Sequence, residues 1–125
     1  MDTSSWAPRV LSVLRIVVAL LFIEHGTVKL FGFPFPGPAA LPPMLMAAAL
    51  IELVGGILVA LGVFTQPAAL IRSGEMAVAY FMAHAPKGFF PIAPAGNGGE
   101  LAIIYCFVFL YFAVAGPGPW ALRRA

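Results

Sequence analysis

Apolar residues run from Val10 with interruptions only at Ser12 and Arg15, until the stretch LFIEHGTVKLFG brings Glu24, His25 and Lys29 within six positions. Three further apolar runs follow. A hydrocarbon core about 30 Å thick takes about 20 apolar residues of helix, and the runs Arg9–Leu30, Met44–Phe64, Pro67–Ala85 and Gly98–Ala115 approach that length. The pattern predicts one all-α domain over residues 1–125, a bundle of four transmembrane helices in antiparallel up-down order. The proline-rich segments FGFPFPGPAALPP and HAPKGFFPIAPAGNGG cannot be helical throughout and read as two outer loops. GVFTQPAA reads as a tight inner turn with Pro67 at a first helical position, making the second and third helices antiparallel neighbours.

Composition agrees. The chain is 62% hydrophobic and 10% charged, with mean hydropathy +0.99, whereas soluble domains carry roughly 45–50% apolar and about 25% charged residues. The small basic excess reads as an orientation signal, with no nucleic-acid surface. Arg9, Arg15, Arg72, Arg123 and Arg124 fall on one side of the predicted bundle, Lys29 and Lys87 on the other. The positive-inside rule then puts both termini in the cytoplasm, with Trp6 and Trp120 as interfacial anchors there. No small-x-small cleavage site follows the first run, so it reads as a retained helix. Cys106 is alone, which leaves no intramolecular disulfide and no thiolate metal site.

Apart from Asp2, each predicted helix carries one acid: Glu24, Glu52, Glu75 and Glu100. At about 1.5 Å per residue Glu100 lies nearest the outer surface, Glu24 and Glu52 roughly 9–12 Å down, and Glu75 near the midplane. Intramembrane acids are functional candidates because a charge facing lipid must pair or neutralise. Each also has a structural role open to it. Glu100 follows Asn97 by three residues, as in a capping box, and suits the first turn of a helix. Glu75 follows Arg72 by three and could pair with it, and Arg15 could join them or snorkel. Glu52 sits among Ala48, Ala49, Gly55 and Gly56, small residues that let helices approach. That explains the small residues and not the acid, so Glu52 reads as a buried polar partner or a proton carrier. Glu24, His25 and Lys29 span about 140° of helix. They either line one cavity in the outer half or only join helices, and a histidine beside a glutamate suits proton exchange. The candidate proton-exchanging set is Glu24, His25 and Glu52. The candidate ligand-binding set is Lys29, Glu75, His84 and Glu100, and no metal set is assigned.

The pieces FIEHGTVKLFG, IELVGGILVALGVFTQPAAL, MAVAYFMAHAPKGFFP and NGGELAIIYCFVFLYFAVAGPGPW, in this order over nearly the whole chain, resemble the DoxX family of small four-helix membrane proteins. The family pattern maps onto Arg15, His25, Gly26, Lys29, Glu52, Gly55, Gly56, His84, Glu100 and the terminal GPGPW. The resemblance implies membrane redox chemistry. Relatives include quinone-linked subunits of thiosulfate oxidation and a mycobacterial complex with superoxide dismutase and a sulfurtransferase. Two departures are Gln66, where Thr-Arg is common, and ALRRA, where the tail often continues Ser-Leu-Asp, which bears on partner choice.

No Rossmann, P-loop or cysteine-rich pattern is present, which argues against bound nucleotide and iron–sulfur centres. Haem fits poorly: His84 is nine residues from Glu75, about 180° away on an α-helix, so both should not face one interior. The cofactor stays open; what the resemblance implies makes a quinone possible, with a small sulfur or oxygen species as the alternative ligand. The reading is a subunit of a redox system in the bacterial inner membrane, quinone-linked or related to thiol and oxidative stress, with a polar cavity in its outer half. Its partners would be the bilayer, further copies of the chain and redox proteins. Its rivals are a non-enzymatic anchor or assembly scaffold, and a proton-coupled transporter acting as an oligomer.

Overall fold

A computed structural model describes residues 2–92 and 95–123, and among them the chain forms four helices and no strand. α1 is Trp6–Phe31. Gly32, at φ 64°, ends it by returning its N–H to the carbonyls of Thr27 and Val28, a reversal that favours glycine because it lies in the left-handed region. α2 is Pro43–Leu61 and is widened into a π turn over Ile51–Gly55. α3, Thr65–Ala79, continues through a second π turn at Tyr80–His84 and a 3₁₀ turn at Ala85–Lys87. α4 is Glu100–Ala115. α1 and α2 are long and apolar enough to cross a membrane, and α4 is apolar but shorter.

Hydrogen bonds show how the helices alternate in direction. Residues 62–64 alone join α2 to α3, so the two form a hairpin. At its turn end, Gln66 donates to the carbonyls of Ala113 (3.0 Å) and Val114 (3.4 Å), which the last turn of α4 leaves free. Arg15, fully buried near the start of α1, donates to the carbonyls of Pro117 and Trp120, and Trp120 N–H donates to Ser12 Oγ (3.0 Å). Leu122 and Arg123 N–H groups bond to the carbonyls of Leu61 and Gly62. The start of α1, the end of α2, the start of α3 and the end of α4 therefore meet at one end of the molecule. Arg15 neither pairs with Glu75 nor snorkels, because the GPGPW segment supplies its acceptors. Pro67 lies inside the first turn of α3, where its missing N–H costs no helical bond.

Burial is inverted relative to a soluble protein. Ser12, Arg15, Glu52, Thr65, Arg72 and Ser73 are buried. Val10, Val17, Leu20, Val54, Ile57, Leu70, Ile71, Ile104, Phe107 and Val114 are exposed on the outer faces. Along α1 the inward positions are Ser12, Arg15, Ala19, Phe22 and Gly26, a seam at spacings of three and four. Residues from all four helices close the core, among them Phe22, Val59, Ala69, Phe109 and Phe112.

Small residues decide how closely α1 and α2 approach. A Cβ on Gly26 would stand 3.0 Å from the Leu53 nitrogen and 3.1 Å from the Ala49 carbonyl oxygen, both backbone atoms. A Cβ on Gly56 would meet Ile23 at 2.8 Å, and one on Gly55 would meet the Arg72 side chain at 3.0 Å. The small-residue stripe of α2 is thus used within the chain, against α1 and around Arg72.

Candidate functional site

Arg72 is the buried cation that ties α3 to α2. It is fully buried on α3, eight residues on from Phe64 in the α2–α3 turn. Nη1 donates to the carbonyls of Ile51 (3.1 Å) and Glu52 (2.8 Å) in the π turn of α2. The guanidinium lies 3.8 Å from the ring centroid of Phe22 and 4.9 Å from that of Phe109. These contacts give the cation acceptors and aromatic faces where water is excluded. The ion pair with Glu75 suggested by their three-residue spacing does not form, because the guanidinium is turned to α2; among the described residues the one carboxylate–cation pair is Lys29–Glu52. Nor is Arg72 a loop charge. Arg9, Lys87 and Arg123 are exposed instead; Arg124 lies outside the described residues.

Between the helices opens a cavity of about 660 Å³, a size suited to a small organic ligand. Its polar lining comes from His25 and Lys29 of α1, Glu52 of α2, Glu75 and His84 of α3, and Tyr105 of α4. The remaining walls are mainly apolar and include Phe22, Ile51, Met76 and Leu101. Lys29 Nζ and Glu52 Oε1 are 2.5 Å apart. Glu52 is 3% exposed at its side chain and Lys29 22%, so the carboxylate is inside and the ammonium at the margin. Glu75 Oε1 is buried with no hydrogen-bond partner among the described residues. A buried carboxyl oxygen without a partner beside a cavity is a ready acceptor or proton site for a ligand group. His25 packs against Phe22, with ring centroids 5.5 Å apart, and edge-on to Tyr105 at 6.4 Å.

His84 shares this cavity with Glu75, contrary to the half-turn offset that nine α-helical residues imply. The π turn at Tyr80–His84 is the reason: a wider turn advances each residue through a smaller angle and brings His84 back round. His84 Nδ1 stands 3.1 Å from the Asn97 carbonyl oxygen. That oxygen can only accept, so Nδ1 carries the proton and Nε2 is left as the ring's acceptor. Both π turns border the cavity, a common placement for such turns.

The remaining candidates fall elsewhere. Glu24 is exposed and does not line the cavity. Glu100 is exposed in the first turn of α4, also outside the cavity wall, where its charge suits the helix dipole. The capping box does not form, since α4 begins at Glu100 with Gly99 as its cap. Asn97 is committed to the loop between α3 and α4 instead. Its Nδ2 donates to Tyr80 Oη and the Gly88 carbonyl, both at 3.0 Å, and Oδ1 accepts from Gly99 N–H at 2.8 Å. Tyr105 was not a candidate in the sequence, where it is one aromatic among many in an apolar run; the spacing Tyr105–Phe109–Phe112 was its one signal.

The DoxX family model matches residues 10–85, more than half of the chain and most of the cavity wall. An uncharacterized protein of Haemophilus influenzae is 53% identical over 128 residues, covering 97% of this chain and 93% of the relative. No solved structure matches. With helices that bury cations and expose aliphatic side chains, and with this match running through Arg15, His25, Lys29, Glu52, Arg72 and His84, the chain belongs to the DoxX family of membrane proteins.

Proposed function

We propose that the protein spans the bacterial inner membrane with all four helices, both termini cytoplasmic. We further propose that its outer-half cavity binds a small lipid-soluble redox molecule of the quinone class, as part of a larger redox system. The orphaned Glu75 Oε1 beside the Lys29–Glu52 pair carries this reading. Apolar walls would accept a quinone ring, and the groups around it supply complements to its two oxygens: Lys29 and Tyr105 as donors, Glu52, Glu75 and the free nitrogen of His84 as acceptors. A bound quinone supplies two-electron chemistry coupled to protons. The chain's share is to orient the ring and to hold protons at Glu75 Oε1 and His84 Nε2. Electrons would come from a partner protein.

Two measurements test this. A cytosolic reporter enzyme fused after Ala125 should be active and a periplasmic one inactive; the reverse would invert the bundle and put the cavity on the cytoplasmic side. In lipid nanodiscs, purified protein should bind radiolabelled decyl-benzoquinone saturably, and Glu75→Leu should weaken that binding roughly tenfold or more, as loss of one hydrogen bond to a charged group implies. Unsaturable uptake, equal to that of empty nanodiscs, would sink the ligand reading.

A further inference from the structure

A second hollow of about 280 Å³ lies on the lipid-facing side of the α2–α3 hairpin, walled by Leu50, Val54 and Leu58 of α2 and by Ala68, Ile71 and Arg72 of α3. It adjoins the polar cavity, for Ile51 and Ile71 line both. The hollow sits toward the turn of the hairpin, beside Gly55 and Arg72, and the helices part farther from that turn, where the polar cavity opens between them. At the turn end Gly55 and Gly56 admit the Arg72 side chain and hold α2 and α3 together. Farther from the turn α3 presents Gly74, with nothing within 4 Å of the place a Cβ would take, and exposed Val78 and Met82 face α2 across the opening. Such a gap in a soluble protein would expose apolar side chains to water at a cost of about 25 cal/mol per Å². Between lipid tails it is free of that penalty, and lipid-soluble molecules can pass through it.

We infer that the cavity's ligand is amphipathic and reaches its site sideways from the bilayer between α2 and α3, leaving its apolar tail in the groove at Leu50, Val54 and Ile71. This rests on the quinone reading of the polar cavity and adds the path and the tail's resting place. The occupant follows from adjacency: a head held by Lys29, Glu52 and Glu75 brings its tail against Ile51 and Ile71, which also wall the groove. An acyl chain of a bilayer lipid is the competing occupant.

Val54 is exposed and walls the groove without touching the polar cavity, so Val54→Trp fills the groove from the lipid side. In nanodiscs this variant should bind decyl-benzoquinone roughly tenfold more weakly, the ratio that about 1.4 kcal/mol makes, and bind the tail-less dimethoxy-methyl-benzoquinone as the parent protein does. A decyl probe with a diazirine at the tail end should label peptides spanning residues 50–58 and 68–72. Labelling in the outer loops, 33–42 or 88–92, would mean access from the aqueous side and overturn the inference, as would a decyl-benzoquinone affinity unchanged in Val54→Trp. Labelling of the groove unaltered by excess tail-less quinone, with equal loss of both ligands in Val54→Trp, would assign it to a bilayer lipid and overturn the inference too. If neither quinone binds the parent protein, the ligand reading itself fails and this inference with it, a result distinct from the others.

Discussion

Arg72→Leu should leave little folded protein in the membrane, and what is recovered in mild detergent should unfold well below the parent. Arg72 donates to two carbonyls of the widened turn of α2 and lies against the rings of Phe22 and Phe109. Hydrogen bonds from a charged donor contribute about 1.5–3 kcal/mol, and a desolvated cation–π contact about 2. Their loss, together with a leucine that cannot fill the space beside Gly55, should cost about 3–5 kcal/mol. That is a large share of the roughly 5–15 kcal/mol available to a folded domain. Arg72→Lys should recover little of it, because an ammonium on a flexible stem cannot lie flat on a ring and reach both carbonyls. Thermal unfolding followed by circular dichroism and by loss of the monodisperse peak on size exclusion would measure the effect. An Arg72→Leu protein that melts with the parent would show that the π turn of α2 is held by something else.

What the sequence disclosed follows from which signals are local. The four helices were legible because hydrophobic runs and their proline-rich breaks are local properties. Depth put Glu52 level with Glu24 on another helix, and it could not disclose that Lys29 is the residue Glu52 meets. Depth could not disclose which way Glu24 faces, since in a chain that is apolar on every side the helix has no polar stripe to mark its inner face. The partners of Arg15 and Arg72 were hidden for a different reason. Both bind backbone carbonyls, which every residue has, so no side-chain pattern announces them. A cation in an apolar run invites a search for an acid, and Arg72 with Glu75 three residues on was a natural pair. The structure sends the guanidinium to α2 and leaves Glu75 for the cavity. His84 was misjudged by angle because the geometry assumed 3.6 residues per turn. Nothing in TQPAALIRSGEMAVAYFMAHAP, with neither glycine nor proline between Gly74 and Pro86, marks the wider turn at Tyr80–His84. GPGPW did hold a signal that could have been used: a segment barred from helix by two prolines, beside the last helix, presents free carbonyls that a buried arginine can bind.

Glu52 separates a role in holding the bundle from a role in handling the ligand, because two different substitutions there should fail in different ways. Glu52→Leu leaves the Lys29 ammonium without its partner at 2.5 Å. Breaking a buried pair by removing one member costs about 3–5 kcal/mol, and Lys29, with its head at the margin of the cavity, should recover part of that by turning outward. The variant should therefore insert poorly or melt early, with a loss toward about 3 kcal/mol. Adding Lys29→Met should restore much of the stability, since replacing both members by apolar groups of similar shape is often neutral. Glu52→Gln is the opposite case. The amide keeps the shape and can still accept from Lys29, so abundance and melting should stay close to the parent. It cannot release a proton or hold a charge, however, so decyl-benzoquinone affinity and any partner-dependent electron transfer should fall roughly tenfold or more. The restored double variant should be stable and equally unable to bind. Stability rescued while binding stays lost is a combination that a purely structural pair cannot produce. Full binding by Glu52→Gln would make Lys29–Glu52 a fastening between α1 and α2, leaving Glu75 and His84 as the groups that meet the ligand.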